Sequence, residues 1–235
     1  MAKPADGTFP PTAHSRERYA SLFTDTDIMI KWFKRQTYRV YRSRLLNAFP
    51  SIIHEDVNAV LDILPFEVNK VTLSGGQVHK VDNLIHPDTA AVQFETESLT
   101  IPYRLYFNEP EKEKEASLTE TQKTILNCIY LRHHNGYLRQ RRLEQLINKN
   151  ESWVTPFTLQ LLGEYVFEIF IVLDKHITKQ NIEYYNRLTK ENPMFWQRTQ
   201  SRMISYWNEY YRRRFPKLKD YLGQRLTDRI KKANA

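Results

Sequence analysis

Residues 28–54 contain six basic side chains and no acidic one. Successive residues of an α-helix are rotated by about 100°. A helix in this segment would therefore align four of the basic residues along one stripe: Lys31, Arg35, Arg39 and Arg42. Such a row of positive charge suits phosphate groups, an acidic partner protein or an acidic surface of the same chain. We take these four residues as candidate nucleic-acid-binding residues.

A second basic segment, residues 194–235, contains eleven basic and three acidic residues. Within 194–215 the helical spacing gathers most aromatic side chains on one arc and most arginines on the other. In the functional interpretation the tyrosines stack on unpaired bases, while four arginines bind phosphates: Arg198, Arg202, Arg212 and Arg213. In the alternative, the aromatic arc is core and the arginines form a solvated face.

Two carboxylates, Glu164 and Glu168, lie four residues apart in an otherwise apolar stretch. In one helix they would share a face, where an unpaired buried charge costs several kcal/mol. We therefore predict that both are buried structural charges with arginine partners. The candidate partners are Arg139, Arg142 or Arg187, and we take Arg139 and Arg142 as buried charges too. A catalytic or metal-binding pair is the alternative, but no histidine follows either glutamate at the spacing of a di-iron helix bundle.

The chain carries no recognisable catalytic, metal or cofactor motif. His133 and His134 are adjacent, so they would point in different directions from a helix, and no zinc-binding spacing occurs. Cys128 is the single cysteine, which excludes an internal disulfide, and its apolar neighbours predict a buried structural thiol. We expect no metal and no cofactor. An enzyme built on the two glutamates and a histidine is the third functional hypothesis.

Residues 122–147 allow two interpretations. Two short helical patterns joined by a turn at His133-His134-Asn135-Gly136 have the lengths of a helix-turn-helix, whose second helix would present arginines to a major groove. The run Gly136-Tyr137-Leu138-Arg139, with Arg142 and Leu146 after it, also resembles the second helix of HEAT-type repeats. It departs from that pattern at Arg142, where a small residue is usual. The resemblance implies stacked antiparallel helices and a binding surface.

The elements around these residues predict a mainly α protein, a multi-helix array with a small antiparallel β insert near 66–107. Residues 1–14 read as a disordered arm, and 15–108 as a helical segment plus the β insert. A charged connector at 109–116 leads to an all-helical region, 117–235, which is either separate from 15–108 or continuous with it. Its predicted helices cover 119–132, 137–149, 155–178, 180–190, 193–214 and 217–232.

These patterns favour a non-enzymatic protein that binds nucleic acid through cationic, aromatic-rich helical faces. This expectation rests on the net charge of +8 and on the two basic segments, 28–54 and 194–235. The alternative is a helical scaffold that binds another protein or a second copy of itself, with residues 194–215 as the contact surface. No apolar run reads as a secretory signal or a membrane span, so we expect a cytoplasmic protein without a membrane partner.

Overall fold

The computed structural model describes residues 37–66, 70–72 and 76–233. Contacts between Cα atoms divide the chain into two units, residues 1–40 and residues 41–235. In the first unit residues 37–40 are described, and they are helical. The predictions for the arm at 1–14, for Lys31 and for Arg35 lie outside the described residues. The domain boundaries assigned from the sequence stay predictions.

The second unit begins with helical residues 41–46, here α1, and a 3-10 turn at Ser51–Ile53 leads into α2 (His54–Asp62). Two antiparallel hairpins follow. The first pairs β1 (Lys70–Thr72) with β2 (Val78–Lys80), and the second pairs β3 (Thr89–Phe94) with β4 (Glu97–Pro102). The remaining helices are α3 (Lys112–Ala116), α4 (Glu120–Tyr130), α5 (Gly136–Glu144), α6 (Thr155–Gln160), α7 (Phe167–His176), α8 (Ile182–Glu191), α9 (Pro193–Tyr206) and α10 (Leu222–Lys232).

This architecture confirms the prediction of a mainly α fold with a small antiparallel β insert. The HEAT-type arrangement of the helices stays a prediction. Within the part of the chain that the structure describes, no helix is long and apolar enough to cross a bilayer.

Local sequence signals explain several helix starts. Thr119 and Gln122 form a reciprocal capping box at the start of α4. The Asn135 side chain accepts the backbone N–H of Tyr137 at the start of α5. Gly136 therefore begins a helix, whereas the sequence pattern places it in the turn between two helices. Pro156 occupies the first turn of α6, where its missing N–H costs nothing.

Backbone hydrogen bonds join the β insert to the helices. The N–H of Thr100 in β4 donates to Asn47 O after α1, at 2.8 Å. The segment after β4 runs beside the α4–α5 loop, where Leu105 donates to Arg132 O and His134 donates to Leu105 O. These bonds bring the chain around Arg104 next to Arg132, although 28 positions separate the two in sequence.

Two long predicted helices are interrupted. Residues 155–178 form α6, a 3-10 turn at Leu161–Gly163, an extended segment at 164–166, and then α7. Residues 193–214 form α9, which passes at Trp207–Tyr211 into a π-helical segment. Both interruptions affect the candidate site, because each changes the direction in which the side chains next to it point.

Candidate arginine-lined binding cleft

A surface cleft of about 750 Å³ lies between β3, the 3-10 turn at Leu161–Gly163 and α9. Its size is in the range of small-ligand sites. Arg198 and Arg202 line it, and none of the described residues in its wall is acidic. The polar part of the wall is completed by Thr89, Tyr103, Gln160, Gln197, Thr199 and Ser201, and the apolar part by Ala90, Ala91, Gly163, Met194 and Phe195.

Gly163 lies where α9 packs against the 3-10 turn. A Cβ atom at this position would lie 3.4 Å from Thr199 O and 3.6 Å from the Cβ of Arg202, which are ordinary van der Waals distances. The turn and α9 are therefore in direct contact at Gly163, and this contact places Arg202 at the wall of the cleft.

Arg202 is held by aromatic rings. Its guanidinium carbon lies 4.8 Å from the centroid of Tyr103 and 5.9 Å from that of Tyr206. Within the described chain neither Arg202 nor the exposed Arg198 forms an ion pair with an acidic residue. Both positive charges are therefore available to an anionic ligand in the cleft.

Gln160 supplies an unsatisfied acceptor in the cleft wall. Its Oε1 atom is buried and has no hydrogen-bond partner among the described residues. A buried polar atom without a partner is costly, so Gln160 is a strained position of the cleft wall.

Three tyrosines form a cluster next to the cleft: Tyr165, Tyr206 and Tyr210. We call this set the tyrosine cluster. The ring centroids of Tyr165 lie 5.8 Å from Tyr206 and 6.2 Å from Tyr210, and Tyr206 and Tyr210 stack at 6.1 Å. Tyr210 is 60% exposed and Tyr165 47% exposed. The aromatic arc predicted on residues 194–215 is therefore divided, since Trp196 and Met203 are buried and Tyr210 faces solvent.

The non-helical residues 164–166 place Tyr165 and Glu164 in different surroundings. The chain bends at Tyr165, whose side chain is exposed, while Glu164 is buried. The Tyr211 hydroxyl accepts the N–H of Phe167 at 3.2 Å and donates to Tyr165 O. Tyr211 is thus a structural residue that ties the π-helical segment to the chain before α7.

Glu164 is surrounded by three arginines. Its Oε2 accepts from Arg104 at 2.7 Å and from Arg139 at 3.3 Å, while Oε1 accepts from Arg132 at 3.0 Å. The Arg139 guanidinium also donates to the carbonyl oxygens of His133 and His134. The structure thus places Glu164 in the interior and pairs it with Arg139.

The pKa values of this group follow from burial and charge. Burial would raise the pKa of Glu164, but Arg139, Arg104 and Arg132 outweigh it and lower that pKa to about 2. Burial lowers the pKa of Arg132 to about 9, against the opposing attraction of Glu164. Nε and Nη1 of Arg132 have no partner among the described residues. One negative charge therefore neutralises only part of the positive charge of the three guanidinium groups.

Glu168 is exposed, so the prediction that it is a second buried charge is wrong. The physical reason is the break at 163–166, which removes the single helix that would have put both glutamates on one face. Arg187, once considered as a partner, contacts the ring of Tyr184 at 5.8 Å instead.

Arg142 is buried but pairs with the charged connector rather than with Glu164. It donates to Glu109 through Nε at 2.8 Å, to Glu115 through Nη1 at 2.5 Å and to Asn127 at 3.1 Å. Arg139 is buried as well. The helix-turn-helix interpretation is therefore wrong, because two arginines of its second helix face the protein interior and cannot reach base edges.

The first basic segment is partly neutralised within the protein. Arg42 pairs with Asp62 at 2.5 Å, and Arg44 donates to the carbonyl oxygens of residues 85–87. Arg42 therefore follows the alternative of an acidic surface in the same chain, whereas Arg44 binds backbone oxygens. Arg39, Arg212 and Arg213 are exposed.

His133 and His134 are part of the folded interior. Nε2 of His133 donates to Phe107 O at 3.0 Å, and its Nδ1 accepts the N–H of Asn135. Burial lowers the pKa of His133 to about 3. Across the described residues, no group of three histidine, cysteine or acidic side chains is placed to hold a metal ion. Cys128 is fully buried, and burial raises the pKa of its thiol.

Sequence reasoning missed Tyr103, Gln160 and Tyr165 as cleft or cluster residues, and Arg104 and Arg132 as partners of Glu164. None of them belongs to a motif. Arg104 and Arg132 meet because the chain after β4 crosses the α4–α5 loop. Such a contact between distant segments leaves no sign in the local spacing of apolar residues.

Comparison of the chain with protein-family models, with curated proteins and with solved structures finds no match.

Proposed function

We propose that this protein is a non-enzymatic nucleic-acid-binding protein that holds backbone phosphates at the arginine-lined cleft. The observation that carries the proposal is the pair Arg198 and Arg202, which line a cleft whose wall includes no acidic side chain among the residues that the structure describes. Guanidinium groups bind phosphate oxygens through two parallel hydrogen bonds, which makes arginine well suited to this contact.

The surroundings of the cleft support a polyanion rather than a single small anion. Arg212 and Arg213 are exposed in the segment that follows α9, so further phosphates of one strand would meet positive charge. Arg212 is oriented by a hydrogen bond to Asn208 at 2.9 Å.

The second candidate is a scaffold that binds a protein or a second copy of itself through residues 194–215. Exposed apolar side chains on α9 favour it, since Met194 is 60% exposed and Ile204 is 40% exposed. We rank it second because the cleft beside these residues is cationic, which suits phosphates better than a mixed protein surface.

The test is a fluorescence-anisotropy titration of the full chain with labelled single-stranded and duplex oligonucleotides at about 50 and about 200 mM salt. We expect affinity to fall steeply with salt, because bound cations are released from the phosphates. Replacing Arg198→Gln together with Arg202→Gln should weaken binding and reduce the slope of log affinity against log salt by about 1.4 for a single strand.

A matched control removes the same charge elsewhere. Lys231 and Lys232 are exposed in the last turn of α10, and Lys231→Gln with Lys232→Gln should leave affinity and slope nearly unchanged. Absence of binding at about 50 mM salt would overturn the proposal. So would an equal loss in both double variants, because the cleft would then contribute nothing beyond net charge.

A further inference from the structure

We infer that the ligand of the cleft is single-stranded nucleic acid, whose unpaired bases stack on the tyrosine cluster while its phosphates bind Arg198 and Arg202. This inference rests on the proposed function and names the form of nucleic acid that the surface accepts. It depends on two observations: the exposure of the rings and the position of Arg202.

The tyrosine cluster offers flat apolar surface to solvent. Tyr210 and Tyr165 are 60% and 47% exposed, and Tyr206 is half-buried beside them. Exposed rings at this density are unusual, because a folded chain gains free energy by covering them. Aromatic rings beside cationic residues are the feature with which proteins hold unpaired bases.

Arg202 links the cluster to the cleft. It lies 4.8 Å from the ring of Tyr103 in the cleft wall and 5.9 Å from the ring of Tyr206 in the cluster. A phosphate bound to Arg202 would therefore have a tyrosine ring on the neighbouring surface, where the attached nucleoside can extend. One strand could use both features at once, as in aromatic and basic grooves that follow a single strand.

Duplex nucleic acid cannot use the cluster in this way. Its bases are stacked inside the helix and present only their edges in the grooves. Tyr211 shows the contrast within the same segment, because its hydroxyl is bound to backbone groups of Tyr165 and Phe167. The structural tyrosine is tied to backbone, whereas Tyr210 contacts other rings and solvent.

The experiment compares three labelled probes of equal length: oligothymidylate, an abasic oligonucleotide with the same number of phosphates, and a duplex. We expect oligothymidylate to bind most tightly, because it alone offers unpaired bases. Tyr210→Ala should weaken its binding about tenfold, within the range measured for loss of one stacked base. The same variant should leave the abasic probe unchanged, and Tyr210→Trp should retain the wild-type preference.

Tyr137→Ala is the matched control, since Tyr137 is 76% exposed on α5 and lies outside the cluster. Tyr137→Ala should change neither the affinity for oligothymidylate nor that for the abasic probe. Equal wild-type affinities for oligothymidylate and the abasic probe would overturn the inference and leave the proposed function standing on its salt dependence. Tyr210→Ala could instead reduce self-association, measured by sedimentation, and leave probe binding unchanged. That result would overturn the inference and assign the tyrosine cluster to contact with a second copy of the chain. No binding of any probe would overturn inference and proposed function together.

Discussion

At Glu164 a single carboxylate organises three guanidinium groups in the protein interior. The Glu164 side chain is 1% exposed, and Arg132 and Arg139 are nearly as well covered. Removing charges from water is expensive, and their mutual attraction offsets that cost only when the geometry is good. Here the three distances of 2.7 to 3.3 Å supply that geometry. The fold around the α4–α5 loop therefore depends on this carboxylate.

Glu164→Gln should destabilise the protein by about 3 to 5 kcal/mol, the cost of leaving buried charge without its partner. The glutamine keeps the shape of the side chain, so the change isolates the charge. Urea unfolding followed by circular dichroism measures the effect.

Glu168→Gln is the control, because Glu168 is exposed and forms no ion pair with any described residue. Its effect should stay within about 0.5 kcal/mol, as for most surface changes. Similar losses in both variants would contradict the structural role given to Glu164.

The interruption at 163–166 shows what element patterns can and cannot reveal. Apolar residues at helical spacing run from 155 to 178, and they predict one helix. Gly163 lies close to α9, and the chain then extends so that Glu164 reaches arginines from three other segments. These contacts are tertiary, so local periodicity contains no sign of them. The helices on either side were predictable, whereas two of the arginines around Glu164, Arg104 and Arg132, were not.

The connector at 109–116 is bound to α5 through Arg142, and this attachment can be tested. Arg142→Gln removes the ion pairs to Glu109 and Glu115, which should expose Lys112 and Lys114 of α3 to trypsin. Because the two glutamates are 28% and 30% exposed, solvent weakens these pairs. We therefore expect cleavage there to become about tenfold faster, as followed by mass spectrometry under native conditions.

Arg141→Gln serves as the comparison, because it removes one trypsin site as well and one ion pair to Glu109. Arg141 is 59% exposed, so its loss should leave the connector protected. If Arg141→Gln and Arg142→Gln were cleaved at the same rate, the buried network would not be what holds α3 in place.

At the scale of the whole molecule, the distribution of charge could be predicted from the sequence more fully than the binding cleft could. The basic excess at residues 28–54 and 194–235 is evident from composition. Composition does not show which of these basic residues bind groups of the same chain and which are open to a ligand. Arg42 and Arg44 bind groups of the chain itself, whereas Arg198 lines an open cleft. Burial depends on which surfaces the fold brings together. The mainly α class could therefore be predicted, whereas the cleft required the arrangement of β3, the turn and α9.

The stability of the whole chain should fall as the solution becomes acidic. Burial lowers the pKa of His133 from 6.5 to about 3, and it also lowers the pKa values of His134 and His176. Below about pH 6.5 the unfolded chain binds more protons at these imidazoles than the folded chain does, so the free energy of unfolding decreases. Glu164 acts in the same direction between its usual pKa of 4.5 and its folded value of about 2.

Between about pH 7 and about pH 5 the histidines dominate, because the pKa of Glu164 lies well below this range. His133→Gln should therefore make the free energy of unfolding less dependent on pH across that interval, whatever it does to stability at neutral pH. His79→Gln is the control, since His79 is exposed in β2 and should leave the slope unchanged. Urea unfolding at several pH values gives the slopes. A His133→Gln slope equal to that of the unaltered chain would mean that the imidazole takes up its proton in the folded state and that its surroundings admit water.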